Sequence, residues 1–150
     1  MTANQQQERQ QPVSLRLTRR FAASAERVFD AWLDPARARR WLFTTATSAI
    51  VRAEVDPRAG GEFVFVDRRD GEDTEHVGRY LELDRPRRLV FTFAVPKYSP
   101  AETRVAIDIV PLGEAACELT LTHDGVLPEW KSQTEQGWSA LLEGLGREVE

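Results

Sequence analysis

Apolar and polar residues alternate along most of this chain. At the start, Val13, Leu15 and Leu17 fall on one side of an extended backbone and polar residues on the other, which predicts a half-buried strand over residues 13–20. The same period of two returns in the middle of the chain, interrupted by turn signals such as Asp70-Gly71. It predicts six further strands, near residues 48–55, 61–67, 75–83, 87–95, 103–111 and 115–123.

Two short helices are predicted between the first two strands. Ser24 is placed to cap the first of them, since a serine oxygen can accept a hydrogen bond from an amide of the first turn. Asp34-Pro35 signals the start of the second, with an acidic cap followed by proline at the first helical position. We expect this second helix to end near Trp41.

The last segment changes to a helical period. Ser132 and Glu135 form a capping box, so we expect a long helix to begin near Gln133. Its apolar stripe is formed by Trp138, Leu141, Leu142, Leu145 and Val149.

The predicted order is therefore one strand, two short helices, six strands and a long C-terminal helix. Strands flanked by helices favour an α+β fold with an antiparallel sheet. The apolar face of a curved sheet must be covered, and the last helix is the available cover. A strongly bent sheet wrapped around one helix often leaves a gap that binds small molecules, so we expect a cavity between them.

Length and composition are those of a soluble single-domain protein. The chain has 150 residues and a net charge of −4, which argues against a nucleic-acid-binding domain. Residues 1–12 are polar and rich in glutamine, which predicts a disordered tail before one domain over residues 13–150. Arginines cluster at residues 37–40 and 85–88, but interspersed acidic residues indicate solvated faces. Without a membrane-length apolar run or a secretory signal, we expect a cytoplasmic protein.

Several short motifs follow one another in a characteristic order. They are Ala31-Trp32-Leu33-Asp34-Pro35 with Trp41, Gly60-Gly61 before Phe63, Asp70-Gly71, Gly78-Arg79-Tyr80, residues 85–92, residues 119–123, and Gly137-Trp138 with Leu141 and Leu145. Together they resemble the helix-grip fold of the START-like, or SRPBCC, superfamily. Within it, the chain resembles the homologues of the activator of the heat-shock protein 90 ATPase, over residues 13–149.

The resemblance implies a fold more firmly than a function. The superfamily includes lipid carriers, hormone receptors, polyketide cyclases and co-chaperone domains. The eukaryotic activator carries a separate N-terminal domain that is important for chaperone binding, whereas a 12-residue tail precedes the domain here. We therefore expect direct activation of a chaperone to be the weaker alternative. The short single-domain form is typical of bacterial members.

The residues form no strong catalytic or metal-binding motif. His76, His123 and the single cysteine, Cys117, do not supply the three or four ligands that a metal site needs. Cys117 and His123 are about 20 Å apart along one strand, too far for a nucleophilic pair. Gly60-Gly61 lacks the lysine and further glycine of a phosphate loop, and a sharp strand entry is favoured there. We expect no metal and no cofactor.

Some polar residues nevertheless alternate with apolar ones on the predicted inner face. His123 shares a side with Leu119 and Leu121, and His76 shares one with Tyr80. A structural histidine is the favoured interpretation of each, and contact with a ligand is the alternative. We expect the strand carboxylates to face solvent, namely Glu62, Asp67, Asp108 and Glu118.

Aromatic residues are the best functional indication, because large rings can fill a core or line an apolar pocket. The connection over residues 96–102 either forms a lid over such a pocket or simply joins two strands. The candidate ligand-binding residues are Trp41, Phe65, Tyr80, Phe93, His123, Trp138 and Leu142.

We therefore expect a binding module for a small apolar or aromatic ligand, held between the sheet and the C-terminal helix, with no evident chemistry. The first alternative is a co-chaperone or stress-regulatory interaction protein, which would expose a large apolar patch. The second is a cyclase- or hydrolase-like enzyme that uses a polar residue of the cavity. A homodimer is a further expectation.

Overall fold

The computed structural model describes residues 11–45, 47–99 and 101–150, so most of the polar tail predicted over residues 1–12 lies outside the described residues. The helices are α1 (Ala25–Leu33), α2 (Pro35–Ala38) and α3 (Lys131–Val149), and a 3₁₀ turn, Pro128–Trp130, precedes α3. The strands are β1 (Val13–Phe21), β2 (Ala49–Val55), β3 (Glu62–Arg69), β4 (Glu72–Asp84), β5 (Arg88–Phe93), β6 (Thr103–Pro111) and β7 (Cys117–Val126).

The seven strands form one curved antiparallel sheet in the order β1-β7-β6-β5-β4-β3-β2. One face of this sheet is covered by α3, which also contacts β1 and α1. The buried side of α3 carries Trp138, Leu142, Leu145 and Val149, as its predicted stripe requires, while Leu141 is only partly buried. The structure confirms the predicted α+β helix-grip fold.

Local turn chemistry explains how the strands and helices are joined. Asp70 and Gly71 have φ angles of 50° and 79°, the left-handed pair of a two-residue hairpin between β3 and β4. The Ser24 hydroxyl accepts a hydrogen bond from the Arg27 amide at 3.2 Å, and an Asp34 carboxylate oxygen accepts one from the Ala36 amide at 3.0 Å. The hairpin and both predicted helix caps are confirmed.

The second helix is shorter than its sequence predicts. It ends at Ala38 rather than near Trp41, because the chain continues in hydrogen-bonded turns. The Trp41 and Leu42 amides both donate to the Ala38 carbonyl, at 3.1 and 2.8 Å. These turns bury Trp41 and end at Phe43, whose φ of 60° lies in the left-handed region.

The start of α3 and the limits of β7 also differ from their predictions. The 3₁₀ turn leads directly into α3 at Lys131, so Ser132 lies inside the helix and forms no capping box. Glu135 instead pairs with Lys131 at 3.6 Å. β7 continues past His123 to Val126, which places that histidine within the strand rather than at its end.

The arginines of both clusters bind neighbouring groups, five of them through a carboxylate. Arg39 donates to the Ile50 carbonyl at 2.8 Å. The other five arginines form the ion pairs Arg37–Asp34, Arg40–Glu148, Arg85–Asp30, Arg87–Asp84 and Arg88–Asp108. Within the described part of the chain, no helix has the length and apolar character needed to cross a membrane.

Candidate functional site

Aromatic side chains fill the space between the sheet and α3. They arise from the inner faces of four strands, from α3 and from the turn after α2, and each ring lies within 6.4 Å of at least one other by centroid. We call this group the ring cluster: Phe43, Phe63, Phe65, His76, Tyr80, Phe91, Phe93, His123 and Trp138.

Phe43 lies at the centre of the ring cluster. Its ring stacks on His76 at 4.7 Å and on Phe93 at 5.0 Å, and it meets Phe65 edge-on at 5.7 Å. Phe63 and Trp138 lie 6.3 and 6.0 Å from it. Phe43 therefore joins the sheet to α3, although it belongs to neither.

The ring cluster leaves very little empty space. A gap of about 10 Å³ lies among its rings, which is room for about one water molecule. Its walls are Leu42, Phe43, Phe63, Phe65, Tyr80 and Phe91. This gap is much smaller than the ligand-sized one expected between the sheet and α3, and the Phe43 ring forms part of its wall.

A chain of three hydrogen bonds holds His123 in one tautomer. Trp138 Nε1 donates to His123 Nδ1 at 3.0 Å, so the ring proton is on Nε2. Nε2 then donates to Thr103 Oγ1 at 2.7 Å, and that hydroxyl donates to the Phe93 carbonyl at 3.0 Å. Burial lowers the pKa of His123 to about 4, so the imidazole is neutral at pH 7. His123 lies on the inner face, on the same side of β7 as Leu119 and Leu121.

Asp67 and His76 form a second polar group on the inner face. Asp67 is fully buried, so the expectation that it faces solvent is wrong. The reason is that Asp67 continues the side of β3 that carries Phe63 and Phe65. One carboxylate oxygen, Oδ2, accepts from Arg69 Nε at 2.5 Å. The other, Oδ1, lies 3.9 Å from His76 Nδ1. Burial lowers the pKa of His76, against the opposing effect of the Asp67 charge.

The other three strand carboxylates predicted to face solvent do lie away from the interior. Asp108 pairs with Arg88 and Glu118 with Arg20, and Glu62 is exposed.

The other reactive side chains of the interior are held in their neutral forms. Burial raises the pKa of the Cys117 thiol and that of the Tyr80 phenol. Neither is therefore an activated nucleophile at neutral pH. Among the described residues, no three His, Cys, Asp or Glu side chains are grouped closely enough to hold a metal ion.

The structure brings five of the seven predicted ligand-binding residues into the ring cluster: Phe65, Tyr80, Phe93, His123 and Trp138. Trp41 packs edge-on against Trp32, 4.6 Å away, and Trp32 in turn lies 6.2 Å from both Phe91 and Trp138 of the ring cluster. Trp41 Nε1 donates to the Ala31 carbonyl at 3.1 Å. Leu142 is buried on α3. A role for these seven residues in ligand binding stays a prediction.

Sequence reasoning missed Phe43, the most central ring. The only signal is the apolar run Trp41-Leu42-Phe43, which follows a helix start without a helical or strand period of its own. The suggested lid over residues 96–102 also stays a prediction. Tyr98 in this connection is 72% exposed, and Pro100 lies outside the described residues.

The family model described as Activator of Hsp90 ATPase homolog 1-like protein matches residues 22–150. A Chromobacterium violaceum protein, CV1439, is 27% identical with a TM-score of 0.83, over 91% of this chain and 96% of its own. A Staphylococcus aureus protein of unknown function is 16% identical with a TM-score of 0.82, covering 93% and 94%. An HSP90 activator from Plasmodium falciparum is 20% identical with a TM-score of 0.69, covering 88% and 92%. No curated protein matches the chain significantly.

Proposed function

Because the chain belongs to the family of Activator of Hsp90 ATPase homolog 1-like proteins, we propose that it is a binding module of helix-grip fold for one small aromatic or apolar molecule. The ligand lies between the sheet and α3 and takes the place of the Phe43 ring. Phe65, Phe93 and Trp138, which now contact Phe43, then contact the ligand. The proposal includes no chemical step.

The backbone of Phe43 supports this proposal. A φ of 60° is unfavourable for a residue with a bulky side chain, by about 1–2 kcal/mol. Strain of this kind persists where surrounding contacts impose it, and it is often found at ligand sites. Movement of the turn that carries Phe43 releases the strain and requires no change in the strands of the sheet.

The size of the vacated space sets the size of the ligand. Phe43 itself forms part of the wall of the 10 Å³ gap, so its departure joins that gap to the volume of one phenyl ring. The combined space accommodates a single six-membered aromatic ring with a small substituent. A lipid or a polycyclic molecule would require further rings of the cluster to move.

Titration of the wild-type protein with toluene tests this proposal. We expect saturable binding that shifts the NMR resonance of the Trp138 Nε1 proton, because Trp138 lies 6.0 Å from the Phe43 ring. Phe43→Ala should bind toluene about tenfold more tightly, since no ring has to be displaced.

Phe29→Ala is the matched control, because it removes a buried phenyl ring of α1 that is not a member of the ring cluster. Toluene bound in the cavity left by Phe29 should not itself shift the resonance of the Trp138 Nε1 proton. The toluene-induced shift of that proton should therefore be the same in this variant as in the wild type. Binding to Phe43→Ala without any binding to the wild type would contradict the proposal, because any cavity of this kind can bind a small aromatic molecule.

The alternative role as an interaction protein has less support. The large apolar side chains that are exposed lie on separate elements of the described chain, and only two pairs are close in sequence, Val110 with Leu112 and Leu127 with Trp130. Exposed apolar residues scattered in this way are ordinary on a protein surface. The likeness to the Plasmodium falciparum activator, at 20% identity, concerns the fold.

A further inference from the structure

Two members of the ring cluster form a flat surface against one face of Phe43. The Phe43 ring is nearly parallel to the rings of His76 and Phe93, at interplanar angles of 10° and 8° and centroid distances of 4.7 and 5.0 Å. If they stacked on opposite faces of Phe43, those two rings would be about 7 Å apart, which is twice the contact distance between carbon atoms. Their centroids are 6.0 Å apart, so both rings lie on the same face. We call His76 and Phe93 together the platform.

The sheet holds the platform in place. His76 belongs to β4, and Phe93 is the last residue of β5. The residues that directly follow them, Val77 and Ala94, exchange two backbone hydrogen bonds of 3.0 and 2.9 Å, so the two strands are fixed to each other beside the platform. Phe43 lies on a turn instead, outside the strands. The platform therefore stays where it is when the Phe43 ring departs, and it contacts whatever takes the place of that ring.

The surroundings of Phe43 favour a planar replacement. Phe65 and Trp138 are inclined to the Phe43 ring by 71° and 59°, at 5.7 and 6.0 Å, and limit the space around it. An aromatic ring is flat and reproduces the stacking of Phe43 on the platform. A saturated six-membered ring carries hydrogens above and below its mean plane, so it is thicker. It would push its neighbours apart, which is unfavourable in a tightly packed interior.

We propose that His76 and Phe93 determine the specificity of the site, and that they select a planar aromatic ring over a saturated ring of the same carbon skeleton. This inference rests on the proposed function and narrows its ligand from any small apolar molecule to an aromatic one. Both residues act through the faces of their rings. The nitrogen atoms of His76 take no part in the selection, so a phenyl ring at this position preserves it.

The test compares toluene with methylcyclohexane, which have the same carbon skeleton and differ in planarity. Binding of either is followed by the NMR resonance of the Trp138 Nε1 proton, which shifts when the neighbouring Phe43 ring departs. An apolar cavity without stacking rings binds methylcyclohexane at least as tightly, because the saturated ring buries more apolar surface. For the wild-type protein we expect the opposite order. The dissociation constant for toluene should be about tenfold below that for methylcyclohexane, since each stacked pair of rings contributes beyond the area it buries.

Phe93→Leu and His76→Leu each replace one ring of the platform by a side chain that cannot stack. In each variant the two dissociation constants should lie within about threefold of each other. His76→Phe restores a ring face at the same position and should keep the wild-type preference for toluene. Phe29→Leu is the control for Phe93→Leu, because it makes the same substitution at a buried phenyl ring of α1 that is not a member of the ring cluster. It should also keep the preference.

The possible failures can be told apart. Methylcyclohexane binding to the wild type as tightly as toluene would overturn the inference and leave the proposed function intact. A full preference for toluene in both leucine variants of the platform would assign the selection to other rings. Loss of the preference in His76→Phe, as in His76→Leu, would show that the nitrogen atoms are needed and would contradict selection by ring faces. If neither probe binds the wild-type protein, the proposed function and this inference both fail.

Discussion

Replacement of Gly78 by alanine should lower the free energy of unfolding by about 3–5 kcal/mol. Gly78 lies on the inner face of β4, opposite Phe63 of β3. A Cβ atom at this position would lie 1.9 Å from the Thr92 carbonyl oxygen and 2.6 Å from two carbons of the Phe63 ring. The carbonyl belongs to the backbone of β5, so β4 and β5 would have to separate. Urea denaturation measures the effect.

Gly137→Ala is the control, since a Cβ atom there meets nothing within 4 Å. Because Gly137 lies within α3, alanine should stabilise the protein by up to about 1 kcal/mol through its helix propensity. A Gly78→Ala protein whose stability is within 1 kcal/mol of the wild type would show that β4 and β5 do not approach as closely as described.

The second large effect is a loss of stability in acid that depends on His123. Its pKa is about 4 in the folded protein and about 6.5 in an unfolded chain. The contribution of neutral His123 to the free energy of unfolding is fully present above pH 6.5. It decreases as the pH falls toward 4, because over this range the histidine of the unfolded chain binds a proton and that of the folded protein does not. The difference corresponds to about 3 kcal/mol between pH 7 and pH 4.

His123→Gln isolates this contribution from those of other titrating groups, His76 among them. Glutamine does not titrate, and its amide can accept from Trp138 and donate to Thr103 as the imidazole does. Urea denaturation at pH 7, 5.5 and 4 should show that the wild type loses about 3 kcal/mol more than the variant. Equal losses in the two proteins would mean that His123 is readily protonated in the folded state.

The elements of the fold that depend on local chemistry could be predicted from the sequence. The hairpin at Asp70-Gly71 and the caps at Ser24 and Asp34 each need only a few neighbouring residues, and each is found as predicted. The start of α3 could not be predicted in the same way. Ser132 and Glu135 satisfy the capping pattern, but the preceding 3₁₀ turn already provides the helix start at Lys131.

The candidate site was harder to predict, for two physical reasons. The burial of Asp67 follows from its position two residues after Phe65 on an alternating strand, whereas the general preference of carboxylates for solvent predicts the opposite. The position of Phe43 carries no periodic signal, because the residue lies between elements and the fit of its ring depends on five partners distant in sequence. The volume of the remaining gap likewise depends on the positions of all these rings together, so no short stretch of sequence predicts it.

The central claim is that a small aromatic ligand takes the place of the Phe43 ring. The most direct measurement is a set of nuclear Overhauser effects on the wild-type protein with toluene at saturation. We expect contacts from the toluene protons to Phe65 and Trp138, together with loss of the contact between the Phe43 and His76 rings, which are 4.7 Å apart in the free protein. Contacts confined to exposed residues such as Tyr98 and Trp130, with the Phe43–His76 contact retained, would contradict it.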